Sequence, residues 1–360
     1  MTTMHMANIP ADLVAFAIAL CASLILTIPV RYLALRCGMV DKPGPRKVHV
    51  KPIPLLGGIA IFLGFALAVL LTRHGGPFEQ ILGILAGATL VTVVGFLDDG
   101  GLLHHQVKLF VGMPVAAVIL IVSGIRAQFF SAFIPGSAGV ALDIVFTILW
   151  VVGITAAFSI LDHMDGLCAG IAAVAAGFFT LAAIYSDQTM VRVLGAAVLG
   201  AALGFLRWNF NPAKIFMGDG GAMFLGFLMA TLGLKIRPEG IQFPVTWFVP
   251  ILILGVPVFD TTLISISRAR RGLLPFTSPG KDHTAHRLSN LGLGHRGAVL
   301  VLYGFAILSG TLSFIVSHVS TEVSFAIVGG LILAGVGGVF LLEGVPFEHQ
   351  VKVPKSSPAS

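Results

Sequence analysis

The chain has 360 residues, of which 56% are hydrophobic and only 11% charged, with a mean hydropathy of +0.98. An ordinary soluble domain carries about 25% charged residues, so these figures exclude one and imply an all-α, polytopic integral membrane protein. The net charge of +6 is no argument for nucleic-acid binding, because Lys and Arg in such a chain mark cytoplasmic loops.

Apolar runs of spanning length lie at roughly 12–35, 56–72, 80–97, 108–124, 142–161, 166–185, 190–207, 217–235, 244–266, 298–317 and 322–342, which predicts about 11 transmembrane helices. The first run lacks a basic leader and a clear cleavage site, so it is expected to remain as a helix. The loop after it holds Arg36, Lys42, Arg46, Lys47 and Lys51, and the ninth loop holds Arg268, Arg270, Arg271, Lys281, Arg287 and Arg296. Both read as cytoplasmic, with the N-terminus outside and the C-terminus inside. Residues 1–345 are expected to form one transmembrane domain, followed by a short disordered cytoplasmic tail at 346–360. Cys21, Cys37 and Cys168 are scattered and make neither a disulfide framework nor a zinc spacing.

With this parity, Asp98, Asp99, Asp162, Asp165, Asp219, Asp260 and Asp282 all fall at cytoplasmic helix ends or in cytoplasmic loops, while Glu79, Glu239 and Glu322 fall outside. Anionic lipid repels carboxylates at the inner surface, so a set gathered there needs a compensating cation. Asp219 is the most telling member. It stands in Asn209–Gly221, at the mouth of the apolar run Ala222 to Leu234, where an aspartate is costly unless paired, hydrated or bound to a cation.

The other acids suggest partners for it. Asp98-Asp99 closes the third run, with Lys108 opening the fourth. Paired carboxylates there can bind Mg²⁺ through oxygen, or repel until one takes a proton, although a plain helix stop in water is an even alternative. Asp162 and Asp165 sit three apart and share a face if helical; capping would account for one of them only. The ninth loop brings His283 and His286, also three apart. With no Cys and no third His near in sequence, phosphate binding is favoured there over a transition metal, although a solvated basic loop, which accounts for the arginines but not the histidines, is an even alternative. Acids for a divalent metal beside basic groups are the recurring layout of phosphoryl transfer. A site opening beside the bilayer points to a lipid as one substrate.

These blocks resemble the polyprenyl-phosphate N-acetylhexosamine-1-phosphate transferases of glycosyltransferase family 4, in particular those acting as undecaprenyl-phosphate GlcNAc-1-phosphate transferases. The likeness runs from about Asp41 to about Tyr303: Asp41-Lys42-Pro43 with Arg46-Lys47-Val48-His49, Pro52 through Gly58, Asp98-Asp99 with Lys108, Asp162-His163-Met164-Asp165-Gly166-Leu167, Asn209 through Gly221, Pro257-Val258-Phe259-Asp260, and the His283 loop, in the family's order. The resemblance implies transfer of a sugar 1-phosphate from a UDP-sugar to undecaprenyl phosphate, releasing UMP, with Mg²⁺ required and Mn²⁺ as a substitute. It implies Asp219 as metal ligand and Asp98 as the residue meeting the lipid phosphate, with Asp99 and Lys108 beside it. Asp162, Asp165, Asn209, His283, His286 and Arg287 are implied around the nucleotide sugar, and Lys47 and His49 at phosphate or lipid. The bacterial inner membrane is the implied location, a role in cell-envelope polysaccharide synthesis the implied use, and a homodimer a compatible assembly.

The chain departs from the family's pattern at several positions. Ala156 and Ser159 replace two asparagines, His163 replaces a Gly or Asn, Ala285 interrupts the histidine motif, and Ala222 and Gly112 replace a Ser and a Gln. The three consecutive histidines of the MurNAc-pentapeptide translocases are absent, which points to a small UDP-N-acetylhexosamine. Two rival readings are a homologue that binds without turnover and an ion-coupled transporter using Asp260. The transporter needs ionisable groups near the midplane, and the acids here gather at one surface.

Overall fold

In the computed structural model, residues 10–43, 51–103, 105–237, 245–273 and 280–345 are described. The expected phosphate or lipid contacts Lys47 and His49, and the tail at 346–360, lie outside the described residues.

Helices occupy the apolar runs in turn: α1 (Ala11–Arg36), α2 (Gly57–Leu71), α3 (Phe78–Asp99), the single turn α4 (His105–Val107), α5 (Met113–Val122), α6 (Ser137–Leu161), α7 (Leu167–Tyr185), α8 (Thr189–Asn209) and α9 (Gly218–Lys235). They continue with α10 (Phe248–Ile253), α11 (Gly255–Arg270), the short α12 (Thr284–Leu288), α13 (Gly294–Val316) and α14 (Thr321–Glu343). A π-helical stretch, Lys108–Gly112, joins α4 to α5. Among the described residues, 7 helices are long and apolar enough to cross a membrane, or up to 8 with one bent pair. The protein is therefore a multi-pass membrane protein. Two runs expected to span form shorter helices, Gly57–Leu71 and Lys108–Val122.

The ninth run is broken. Its two pieces, Val245–Ile253 and Gly255–Arg270, meet at 79°. Pro257 lacks the N–H that would bond the preceding turn, and its ring crowds the carbonyl four residues earlier, so the break falls just ahead of it.

Helix α9 is the core of the bundle. Every residue from Gly220 to Leu234 is buried, with α3 on one side and α6 on another. The Phe224 ring meets Phe62 and Phe65 edge-on at 5.6 and 5.5 Å, and Trp150 Nε1 donates to the Ala230 carbonyl at 3.0 Å. Helix α14 is more apolar still, but only 6% of its most apolar window is buried. An all-round apolar helix belongs in a core or in lipid, and this chain uses both solutions.

One end of the bundle carries a two-stranded ladder, β1 (Val40–Asp41) antiparallel to β2 (Ile53–Pro54), pairing Val40 with Pro54 and Asp41 with Ile53. The Pro54 carbonyl accepts from Phe216 N at 2.8 Å, while Gly57 N and Gly58 N donate to Phe216 and Met217 carbonyls at 2.9 Å. The loop before α9 is thereby sewn to the loop before α2. The opposite end is not free of acids, which corrects the one-sided distribution expected from sequence. Asp143, in the second turn of α6, accepts backbone hydrogen bonds from Phe129 and Phe130 at 2.9 and 2.7 Å, and Asp12 at the start of α1 lies 3.4 Å from Arg192.

Candidate active site

The C-terminal ends of α3, α6 and α8 and the N-terminal end of α9 converge on one cleft of about 550 Å³. Its walls include Asp99, Ser159, Asp162, His163, Asp165, Asn209, Asp219, Lys281, His286 and His295.

The start of α9 is placed by close backbone approach. A Cβ on Gly95 of α3 would stand 2.5 Å from Gly220 N, and one on Gly58 of α2 2.3 Å from Gly221 N. Gly218 has φ +72°, and a Cβ there would lie 2.4 Å from Asp99 Oδ2. Only glycine combines that left-handed backbone with the room it leaves. Asp99 exploits the approach by accepting from Asp219 N at 3.0 Å and Gly220 N at 3.3 Å. A carboxylate on the first amides of a helix meets both the unpaired N–H groups and the positive end of the dipole. Asp99, expected beside Asp98 at the lipid phosphate, is thus also the group that anchors the helix bearing Asp219.

Lys108, on the π-helical turn, reaches between two acids expected to work together. Its ammonium donates to Asp98 Oδ2 at 2.7 Å and to Asp219 Oδ2 at 2.5 Å. The other oxygen of Asp219 accepts from Ser159 Oγ at 2.6 Å. Ser159 stands where the family's pattern has an asparagine. Its hydroxyl instead holds the central aspartate, a role that only proximity across 60 residues of sequence reveals.

The Asp162–Gly166 turn follows. Asp162 stands at the C-terminal end of α6 and lines the cleft. Enclosure by protein pushes its carboxyl well above the ordinary range, and the neighbouring charges of Asp219, Asp99 and Asp165 add to the shift. Asp165 Oδ2 accepts from Asn211 Nδ2 at 2.9 Å and from Ala213 N at 3.0 Å. Asn209 bridges the same two loops, accepting from Gly166 N and donating to the Ile215 carbonyl, each at 3.0 Å. Both side chains line the cleft while bracing its walls.

The ninth loop divides. His283 Nδ1 lies 3.0 Å from Asp260 Oδ2, Asp260 Oδ1 accepts from Thr284 N at 2.7 Å, and the His283 ring stacks on His163 at 3.8 Å. His286 lines the cleft with its ring 4.9 Å from that of His163. Arg287 turns away from the cleft. It is fully buried, with Nε on the Asp282 carbonyl at 2.9 Å and Nη2 on Ser267 Oγ at 2.9 Å and Glu343 Oε1 at 2.7 Å. Asp282 is gripped by Arg268 at 2.9 and 3.0 Å and by Arg271 at 2.5 Å. Burial pushes its carboxyl up, but these hydrogen bonds outweigh burial and hold it well below the usual carboxylate range. Lys281 and His295, which also reach the cleft, were missed as site residues because isolated cations in a basic loop carry no motif.

The arrangement supplies several carboxylates, one ammonium threaded between two of them, and imidazoles along an open wall. It can hold a divalent cation through hard oxygen donors and a phosphate ester beside it. Residues 81–237 match the family model "Glycosyl transferase family 4". The chain is 39% identical over 301 residues to a Bacillus subtilis (strain 168) protein named "Probable undecaprenyl-phosphate N-acetylglucosaminyl 1-phosphate transferase", covering 81% of this chain and 80% of that one. It is 34% identical over 303 residues to the decaprenyl-phosphate N-acetylglucosaminephosphotransferase of Mycolicibacterium smegmatis (76% and 74% covered). With the undecaprenyl-phosphate alpha-N-acetylglucosaminyl 1-phosphate transferase of Yersinia pestis it shares 30% identity over 286 residues (78% and 77% covered). Identity at this level over most of both chains, with the matched stretch spanning Asp98 to Asp219, places this protein in glycosyl transferase family 4, among the polyprenyl-phosphate N-acetylhexosamine-1-phosphate transferases.

Proposed function

We propose that this protein transfers N-acetylglucosamine 1-phosphate from UDP-N-acetylglucosamine to undecaprenyl phosphate, releasing UMP and leaving a lipid-linked sugar pyrophosphate for cell-envelope polysaccharide synthesis. The observation that carries the reading is the Lys108 ammonium held between Asp98 and Asp219, beside an open cleft and inside the stretch that the family model matches. Relatives at 30–39% identity bear names for this reaction.

Asp99, Asp162 and Asp219 offer carboxylate oxygens, the hard donors that Mg²⁺ prefers, with Mn²⁺ as a substitute. Bound there, the ion supplies charge neutralisation to the donor pyrophosphate. Lys108 and Ser159 orient the Asp219 carboxylate, and Lys108 offers its remaining donor capacity to an incoming phosphate. Asp98, pinned by the same ammonium, lies on the acceptor side. No strong base is needed, because a phosphate monoester has a second pKa near 6 and is largely dianionic at neutral pH. The work of the site is positioning and charge neutralisation. Asp162, Asp165, Asn209 and His286 form the donor wall, with His283 packed behind it on His163.

The two strongly basic loops support a cytoplasmic cleft in a bacterial inner membrane with the N-terminus outside, and the eleven apolar runs of the sequence support 11 crossings. The test is purified protein with labelled UDP-N-acetylglucosamine, undecaprenyl phosphate and Mg²⁺. The expected result is labelled lipid and UMP in equal amounts, abolished by chelation. Absence of lipid product with every common UDP-N-acetylhexosamine, while a related enzyme turns over in parallel, overturns the proposal.

A further inference from the structure

We propose that His163, Asp260 and His283 form a second cation site, suited to a transition ion of the zinc class and separate from the carboxylate group around Asp219. The sequence argues against such a site at His283 and His286, because no third histidine lies near them in the chain. The fold supplies one. One candidate ligand atom from each of His163, Asp260 and His283 lies within 4.8 Å of the others.

The hydrogen bonds set the tautomers. His163 Nδ1 lies 3.1 Å from the Ile160 carbonyl, which can only accept, so Nδ1 carries the hydrogen and Nε2 keeps the lone pair. That Nε2 is buried and has no hydrogen-bond partner. A polar atom left so is costly, and a metal ligand is one use for it. His283 Nδ1 faces the Asp260 carboxylate at 3.0 Å, so an ion there would replace the hydrogen between them and take that nitrogen and a carboxylate oxygen as ligands beside His163 Nε2. Asp260 is itself held by Thr284 N.

Two imidazoles and one carboxylate suit Zn²⁺, Co²⁺ or Ni²⁺ over Mg²⁺. Zinc–nitrogen bonds of about 2.0–2.1 Å put two donors of a tetrahedral site about 3.3 Å apart, so the most widely spaced pair must draw together on binding. The entry path is the cleft, since both His163 and His286 line it.

The test uses full-length, tag-free protein in detergent, stripped with chelator and then held in a large excess of Mg²⁺. Co²⁺ is titrated by visible absorption and Zn²⁺ by calorimetry. The proposal expects one equivalent of Co²⁺ with d–d bands of nitrogen and oxygen ligation, no thiolate charge-transfer band, and displacement by Zn²⁺. His163→Asn should weaken binding at least about tenfold, whereas Asp219→Asn should leave it unchanged. Wild-type protein that takes up no stoichiometric Co²⁺, His163→Asn protein that binds as wild type, or binding lost in Asp219→Asn overturns it. Should His163→Asn fail to give monodisperse protein, the Mg²⁺ competition decides: Co²⁺ bands erased by Mg²⁺ place the ion on the carboxylates and refute the second site, and bands that persist uphold it.

Discussion

Asp219 has one carboxylate oxygen on Lys108 and the other on Ser159, so its orientation depends on both partners. Removing the Ser159 hydroxyl forfeits a hydrogen bond to a charged group, worth about 1.5–3 kcal/mol, in a part-buried setting that reduces the loss. Ser159→Ala is expected to lower kcat roughly tenfold with little change in thermal stability, measured by lipid-product formation and by unfolding in detergent. Unchanged kcat would mean that Lys108 alone sets the carboxylate. Arg287 leads to the opposite expectation. Its guanidinium is fully buried among Asp282, Ser267 and Glu343, and breaking a buried ion pair from one side costs about 3–5 kcal/mol. Arg287→Ala should depress thermal stability strongly, and the folded fraction should keep its donor KM; a raised KM in stable protein would return Arg287 to the donor wall. The sequence grouped Arg287 with His283 and His286 because they share a loop. Backbone spacing does not tell which way a side chain turns, and here the acceptors that receive Arg287 are the Ser267 hydroxyl of α11, the Glu343 carboxylate of α14 and the Asp282 carbonyl of the loop itself.

At the scale of elements, the site depends on where α9 begins. Gly95 and Gly58 let α3 and α2 approach the backbone of Gly220 and Gly221 more closely than any side chain would permit. Gly95→Ala must push α9 outward, because its Cβ would meet backbone rather than a movable side chain. Overpacking costs about 1–3 kcal/mol, and the shift also lengthens the Asp99 bonds to Asp219 N and Gly220 N. Activity is expected to fall by more than tenfold while the protein still folds, read by comparing product formation with the unfolding midpoint. Wild-type turnover would show that the approach is only packing. The apolar runs were legible in sequence because lipid and core both demand unbroken hydrophobicity. The 79° break at Leu254 was not, although Pro257 marks its place, because proline inside an apolar run kinks or ends a helix according to what its neighbours can accommodate.

For the whole molecule, the clasp of Arg268 and Arg271 on Asp282 ties the end of α11 to the segment entering α12. Asp282 has its carboxyl held below the ordinary value, so its ionised form stabilises the fold at all pH above the unfolded value of about 3.9. That stability is lost as pH falls through the lower folded value. Acidification from about pH 4 downward should therefore lower the unfolding midpoint of wild-type protein more steeply than that of Asp282→Asn, measured by thermal scans in detergent. Parallel slopes would remove Asp282 from the acid response.

The sequence alone determined the environment, the helical class, the family resemblance and the identity of most cleft residues, because hydropathy and ordered motifs are local properties of the chain. Tertiary structure decided which motif residues meet. It joined Lys108 to Asp219 and turned Ser159 from a missing contact into a partner. It withdrew Arg287 from the cleft and brought His163 beside His283. Those outcomes depend on side-chain direction and on the approach of helices distant in sequence, and no local pattern encodes either one.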